Sequence, residues 1–152
     1  MLHLLKDVFS SFQKHNVKYV VIGGTASILH GVPRTTFDLD ILIEASRDNA
    51  QRLLDALAEA KFGTATMISA EKLITQEVVI FQDRVRVDVQ TKTPGVEFER
   101  VWKRKEEVEH QGQKFFILSL EDLIASKKAS GRKIDIEDVE ALELKTEKKK
   151  RG

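Results

Sequence analysis

The chain has 152 residues, with 25 Lys and Arg against 24 Asp and Glu for a net charge of +1, no cysteine, and 41% hydrophobic side chains. That length supports one domain with its own core, and two full domains would be crowded. The missing cysteines exclude disulfides, thiolate catalysis and Cys-bearing zinc or iron-sulfur centres, and no apolar run approaches the roughly 20 residues that span a bilayer, so the expectation is a soluble, cytoplasmic protein with no membrane partner.

From the start of the chain, Leu2 to Gln13 places Leu2, Leu5, Val8, Phe9 and Phe12 at spacings of three and four, on one face of a helix. Asn16 breaks the pattern. Val17 to Ile22 is β-branched and nearly all apolar, which suits a strand buried on both faces, and Gly23-Gly24 ends it. A short helix over Thr25 to His30 and a loop through Gly31, Pro33 and Arg34-Thr35-Thr36 lead to a second strand, Asp38 to Ile43. Its alternation sends Asp38 and Asp40 one way and Leu39, Ile41 and Ile43 the other. Ser46 caps a helix running to Lys61, with Leu53, Leu54, Leu57 and Ala58 as its buried stripe.

Phe62 to Gln76 reads as a loop with a short helix at Ala70 to Ile74. Glu77 to Phe81 and Arg84 to Val89 form a hairpin about Gln82-Asp83, with Val85, Val87 and Val89 on one side and Arg84, Arg86 and Asp88 on the other. Val101 to Val108 reads as partly helical, and Gln111-Gly112 as the turn into a strand over Lys114 to Leu118. Ser119, with Asp122 at the box position, caps a helix carrying Leu120, Leu123 and Ile124 that stops at Gly131. Asp135 and Asp138 repeat that capping pattern ahead of a last helix with Val139 and Leu142. The expected fold is α/β of the α+β kind, a small mixed sheet packed with helices. It forms one domain over residues 1–144, and residues 145–152 are a basic, flexible tail. The tail holds +4 and leaves the body at −3; it would attract polyanions nonspecifically, although a solvated run is the plainer reading.

Two aspartates one residue apart on an apolar strand repel one another unless something neutralises them. A divalent cation does so, since Mg2+ takes oxygen ligands and sits between carboxylates and substrate phosphates. An edge strand with a wet face is the alternative for a lone Asp-x-Asp. Gly23-Gly24 would let phosphates approach backbone N–H groups, though a tight turn alone would use them too. Neither GxxxxGK[ST] nor GxGxxG occurs, so a nucleotide would need another cradle. His30 lacks a second histidine at ligand spacing, and with His3 and His15 on the first helix and His110 distant, a histidine-rich zinc centre is disfavoured.

The stretch GGTASILHGVPRTTFDLDILI resembles the first motif of the nucleotidyltransferase superfamily that includes DNA polymerase beta: an apolar strand, Gly-Gly or Gly-Ser, a gap, then Asp-x-Asp. It is similar to minimal nucleotidyltransferases and to members of toxin-antitoxin and abortive-infection systems. The resemblance implies a polymerase-beta-like core in which Gly23 and Gly24 form the phosphate-holding turn, with Thr25 adding a hydroxyl, and Asp38 and Asp40 bind metal. The third carboxylate it calls for is Asp88 of VRVDV, with Asp83 as fallback. SLEDLIASKKASGRKIDIEDV also resembles family material, Lys127 matching a lysine and Arg132 an arginine. Lys127 would reach the triphosphate, with Lys128 as second choice, and Arg34 would add directed donors to phosphate. Arg132, Asp135 and Asp138 read instead as an ion-pair and capping cluster.

The implied reaction transfers a nucleoside monophosphate from an NTP to a hydroxyl or phosphate acceptor and releases pyrophosphate, with Mg2+ or Mn2+ as cofactor. A tRNA or other RNA end, a partner-protein side chain and a small-molecule alcohol all stand as acceptors. The alternative is an interaction protein, such as the antitoxin-like partner of a HEPN-type toxin. An RNA-binding module driven by the basic tail ranks last, because the body has no basic excess. A homodimer is compatible with each.

Overall fold

The computed structural model describes the backbone of residues 2–151 and side chains from Leu5 onward, so the place of Leu2 on the first helical face lies outside the described residues. In chain order the elements are α1 (Leu2–Lys14), β1 (Tyr19–Ile22), α2 (Gly23–Leu29), β2 (Asp38–Ile43), α3 (Arg47–Glu59), a 3-10 turn (Gly63–Thr66), α4 (Ala70–Leu73), β3 (Val78–Gln82), β4 (Arg86–Gln90), α5 (Phe98–Arg104), β5 (Glu106–His110), β6 (Gln113–Ile117), α6 (Leu120–Ser130) and α7 (Lys133–Arg151). The six strands form one mixed sheet ordered β3-β4-β2-β1-β6-β5. β1 runs antiparallel to β2, which runs parallel to β4. β3–β4 and β5–β6 are antiparallel hairpins.

Alternation along the strands decides the two faces. Tyr19 and Val21 pair with Ile43 and Ile41, so these four share one face. Phe9 and Phe12 of α1 cover it: Phe9 stacks on Tyr19 and on Phe115, the latter with ring centroids 4.4 Å apart. α1 also meets α3, where Ser11 Oγ donates to Ala56 O at 2.6 Å. Asp38 and Asp40 are thereby turned to the opposite face. Local signals end the helices as their sequences suggest. Ser46 Oγ and Ser119 Oγ each accept from the backbone N–H three residues on, and Gly131, at φ +67°, closes α6 in the left-handed region. Among the described residues no helix is long and apolar enough to cross a membrane.

Four readings change. Gly23 and Gly24 belong to α2 rather than preceding it. The stretch Val101 to Val108, read as partly helical, is helix only to Arg104, and Glu106–His110 adds an edge strand paired with β6. Its three glutamates carry little strand signal; what holds it is the ladder, with Val108 opposite Phe115. Asp135 and Asp138 cap nothing: α7 starts at Lys133, and both acids are buried in its first two turns. Residues 145–151 continue α7 instead of forming a separate tail, since no Gly or Pro interrupts the chain between Gly131 and Gly152.

Candidate active site

The parallel pairing of β2 with β4 sets Asp38 opposite Arg86 and Asp40 opposite Asp88. Adjacent strands lie about 4.8 Å apart, so the Asp40 and Asp88 carboxyls stand side by side, with Asp38 two residues back on the same face. The β1–β2 pairing then brings Ile22, the last residue of β1, opposite Asp40, and the chain turns there through Gly23. Gly23 has φ +66°, and a Cβ at this position would collide with Asp40 Oδ2. Only glycine combines that backbone with that approach. Gly24 lies under Thr36 and Arg34. Thr25 is buried, and its Oγ1 donates to the Asp38 carbonyl at 3.1 Å, so its hydroxyl anchors the start of β2.

Burial pushes the Asp40 carboxyl up to about 7; the charges of Asp88 and Asp38 and a hydrogen bond to Asp88 add to it, against the nearby Arg132 cation. Asp88 has a different neutraliser. Arg86 forks onto it, with Nε 2.8 Å from Oδ1 and Nη2 3.1 Å from Oδ2, and the same Nε lies 4.0 Å from Asp38 Oδ2. Among the described residues no three His, Cys, Asp or Glu side chains stand gathered around a single cation position. In this structure an arginine, not a set of bare acids, balances the charge at Asp88.

A second group of charges joins α2, α6 and α7. Lys127 Nζ, only 4% exposed, lies 2.8 Å from Asp138 Oδ2 and 3.3 Å from Asp135 Oδ1. Arg34 Nη1 donates to Asp138 Oδ2 at 2.8 Å, and Ser27 Oγ donates to the same oxygen at 3.3 Å. Arg132 forks onto Asp135 at 2.8 and 3.3 Å, and Ser130 also donates to it. Burial alone would raise the Asp135 carboxyl; hydrogen bonds from Arg132 and Ser130 and the Lys127 and Arg132 charges overcome this and hold it at about 2. Three cations face two acids here. The surplus is oriented: Arg132 feels Asp40 as well as Asp135 and Asp138, and its side chain is 72% exposed.

Two clefts touch β2. One of about 1000 Å³ opens beside Asp38 and is lined by Thr25, Arg34, Phe37, Arg84 and Arg86. The other, about 760 Å³, lies against Leu42, Thr93, Phe98 and Asp122.

The structure thus brings Gly23, Asp38, Asp40 and Asp88 to one place. Gly24 and Arg34 adjoin it, Thr25 supports it from beneath, and Lys127 is buried in the neighbouring charge cluster. Asp83 stays exposed in the β3–β4 turn, Lys128 pairs with Glu143 at 2.7 Å, and His30 is used on the Leu118 carbonyl at 2.8 Å. Sequence reading missed Arg86 as a site residue, although the alternation of VRVDV already put it on the face of Asp88.

Residues 2–148 match the family model described as "Nucleotidyltransferase of unknown function (DUF6036)". Among solved structures, the chain is similar to a candidate nucleotidyltransferase from Thermotoga maritima at 19% identity and a TM-score of 0.56, over 97% of this chain and 92% of that one. It is also similar to an antigenic nucleotidyltransferase-like protein from Paracoccidioides brasiliensis, at 16% identity and a TM-score of 0.57, over 92% and 73% of the two chains. At these identities the likeness is one of fold. No curated protein matches the sequence.

Proposed function

The chain belongs to this family of nucleotidyltransferases, and from that premise we propose that it moves a nucleoside monophosphate from an NTP to a hydroxyl or phosphate acceptor with the help of a divalent metal, releasing pyrophosphate. The observation that carries this reading is the row of Asp38, Asp40 and Asp88 on one sheet face, with Gly23 letting the Asp40 carboxylate lie directly against the turn that follows β1.

The donor set fits Mg2+ or Mn2+. It is all oxygen, and the raised Asp40 carboxyl marks a place short of positive charge. Asp38, Asp40 and Asp88 would hold the ion, which when bound supplies positive charge to the triphosphate and lowers the proton affinity of the attacking hydroxyl. Arg86 leaves Asp88 for this to happen; its side chain is 39% exposed and can turn toward solvent or a substrate phosphate. Asp88, so released, takes the proton from the acceptor. Gly23 and Gly24 admit the phosphates, Thr25 fixes the Asp38 backbone, and exposed Arg132 reaches the departing pyrophosphate. Arg34 divides its guanidinium between Asp138 and the cleft beside Asp38. Lys127 acts from behind, as the cation that sets α7 and hence Arg132.

The test supplies each α-labelled NTP with Mg2+ or Mn2+ to the protein together with total tRNA, a small polyol and any neighbouring-gene product, and follows the label. Transfer to one acceptor, lost in Asp38→Asn with Asp40→Asn, is the expected result. Absence of both label transfer and metal-dependent NTP binding would refute the reading.

A second reading draws on the Arg86 fork, which neutralises Asp88 without a metal: the fold serves as an interaction protein, antitoxin-like, for a toxin partner. It requires that the Asp38→Asn, Asp40→Asn variant keep its full biological effect.

A further inference from the structure

One carboxylate oxygen of Asp122 is an acceptor without a donor. Asp122 sits in the first turn of α6, its N–H bonded to Ser119 Oγ, and is 5% exposed. Oδ1 lies 3.3 Å from Arg104 Nη1, but Oδ2 is buried and has no hydrogen-bond partner. In a capping box this side chain would reach back to the backbone N–H of the cap residue; Oδ2 does not. A buried carboxylate oxygen without a donor is a costly arrangement, so the position calls for an incoming N–H or O–H.

The incoming group has a route. Asp122 lines the cleft of about 760 Å³, a volume within the roughly 300–1000 Å³ typical of small-molecule sites. Leu42, also in its wall, lies two residues beyond Asp40 on β2, on the same face and about 7 Å further along. Opposite Leu42 stands Gln90, whose Oε1 accepts from Thr93 Oγ1 at 2.6 Å and so ties the 91–97 loop to the sheet. Gly95, at φ +79°, presses that loop onto α6, where a Cβ would come within 2.7 Å of the Ala125 carbonyl. The cleft thus begins at Leu42, one strand repeat along β2 from Asp40, and its walls are fixed.

Charge separates the two clefts. The Asp122 cleft sets Lys92 and Arg100 against Glu97 and Asp122, a balance that suits the uncharged end of a nucleotide; the cleft beside Asp38, with Arg34, Arg84 and Arg86 against one acid, suits an anion. We infer that the Leu42–Asp122 cleft takes the nucleoside of the donor NTP, and that Asp122 Oδ2 accepts a hydrogen bond from an amino-bearing base. This rests on the proposed nucleotidyltransferase reading, which puts the α-phosphate at the acids. An acceptor-only group prefers the exocyclic amines of adenine, cytosine or guanine over uracil, whose exocyclic groups are carbonyls, and a site built for a missing donor rejects the analogue strongly.

Binding of ATP, CTP, GTP and UTP with Mg2+ is measured by titration calorimetry on wild type, Asp122→Asn and Ala125→Leu, the last narrowing the cleft while keeping the carboxylate. Wild type should prefer one amino-bearing NTP to UTP by about tenfold or more. Asp122→Asn, which turns an amide donor into the cleft, should lose most of that preference. Ala125→Leu should weaken every NTP but leave inorganic triphosphate unaffected. Unchanged selectivity in Asp122→Asn, with metal-dependent NTP binding intact, overturns the inference and spares the proposed function; no NTP binding in wild type overturns both. If 2′- or 3′-deoxy-NTPs lose in wild type what Asp122→Asn loses, and lose nothing more in that variant, the carboxylate reads the ribose and the base assignment fails.

Discussion

Asp40 titrates at about 7 where an ordinary aspartate titrates at 3.8. The folded state therefore keeps a proton that the unfolded chain gives up, so this group's contribution is whole below the unfolded value and is lost as pH rises through about 7. The loss amounts to up to about 4 kcal/mol. Metal-free Asp40→Asn should therefore melt above wild type at pH 8 and level with it at pH 3, and Mg2+ should raise the wild-type melting temperature at pH 8 more than the variant's. Parallel melting curves for the two proteins across this range would sink the assignment. Gly23→Ala puts a methyl group against Asp40 Oδ2 on a backbone at φ +66°, which should cost about 1–3 kcal/mol in urea unfolding. The acids were legible in the sequence because strict alternation fixes which side a strand residue faces. Arg86 was on that face too, but nothing in a single strand says that its guanidinium would choose Asp88.

Among the elements, β2 was legible from its strict alternation, and α3 and α6 because periodicity and a serine cap agree at each. β5 was not, because an edge strand rich in glutamate is held by its partner's backbone rather than by its own side chains. The start of α7 was misread for a related reason: Asp135 and Asp138 look like cap residues, yet the cations that bury them come from α6, the loop before β2 and Arg132. That cluster makes a prediction about α7. Lys127→Ala leaves two buried carboxylates short of their shared cation, and breaking a buried pair costs about 3–5 kcal/mol. Hydrogen exchange should show the amides around Asp135 and Asp138 losing protection while those of β2 keep theirs. In a double-mutant cycle, Lys127→Met combined with Asp138→Asn should cost less than the two separate changes together. Additive costs would mean that Lys127 and Asp138 are not coupled and that Lys127 is free for substrate.

The sheet order places β2 between β4 and β1, so a reactant can approach the acids from two ends, past Leu42 or past Asp38. With the nucleoside taken up at Leu42, the acceptor comes from the Asp38 side. That cleft joins Arg34, Arg84 and Arg86 to Phe37, which is 85% exposed although it sits one residue before the strand that carries Asp38 and Asp40. An aromatic face beside arginines gives nothing special to a neutral alcohol, but it stacks a base and holds its phosphate, and stacking is worth about 1–3 kcal/mol per base. On the proposed reading, an RNA end would use more of this surface than the other acceptors would. With labelled NTP and an RNA oligonucleotide, Phe37→Ala should raise the KM for RNA by about tenfold and leave the KM for NTP within experimental scatter. Arg84→Ala should do the same and also flatten the dependence of RNA affinity on salt, because one phosphate contact is gone. If Phe37→Ala moves the KM for NTP instead, the cleft beside Asp38 is where the donor's base lies, and the assignment of the two ends must be exchanged.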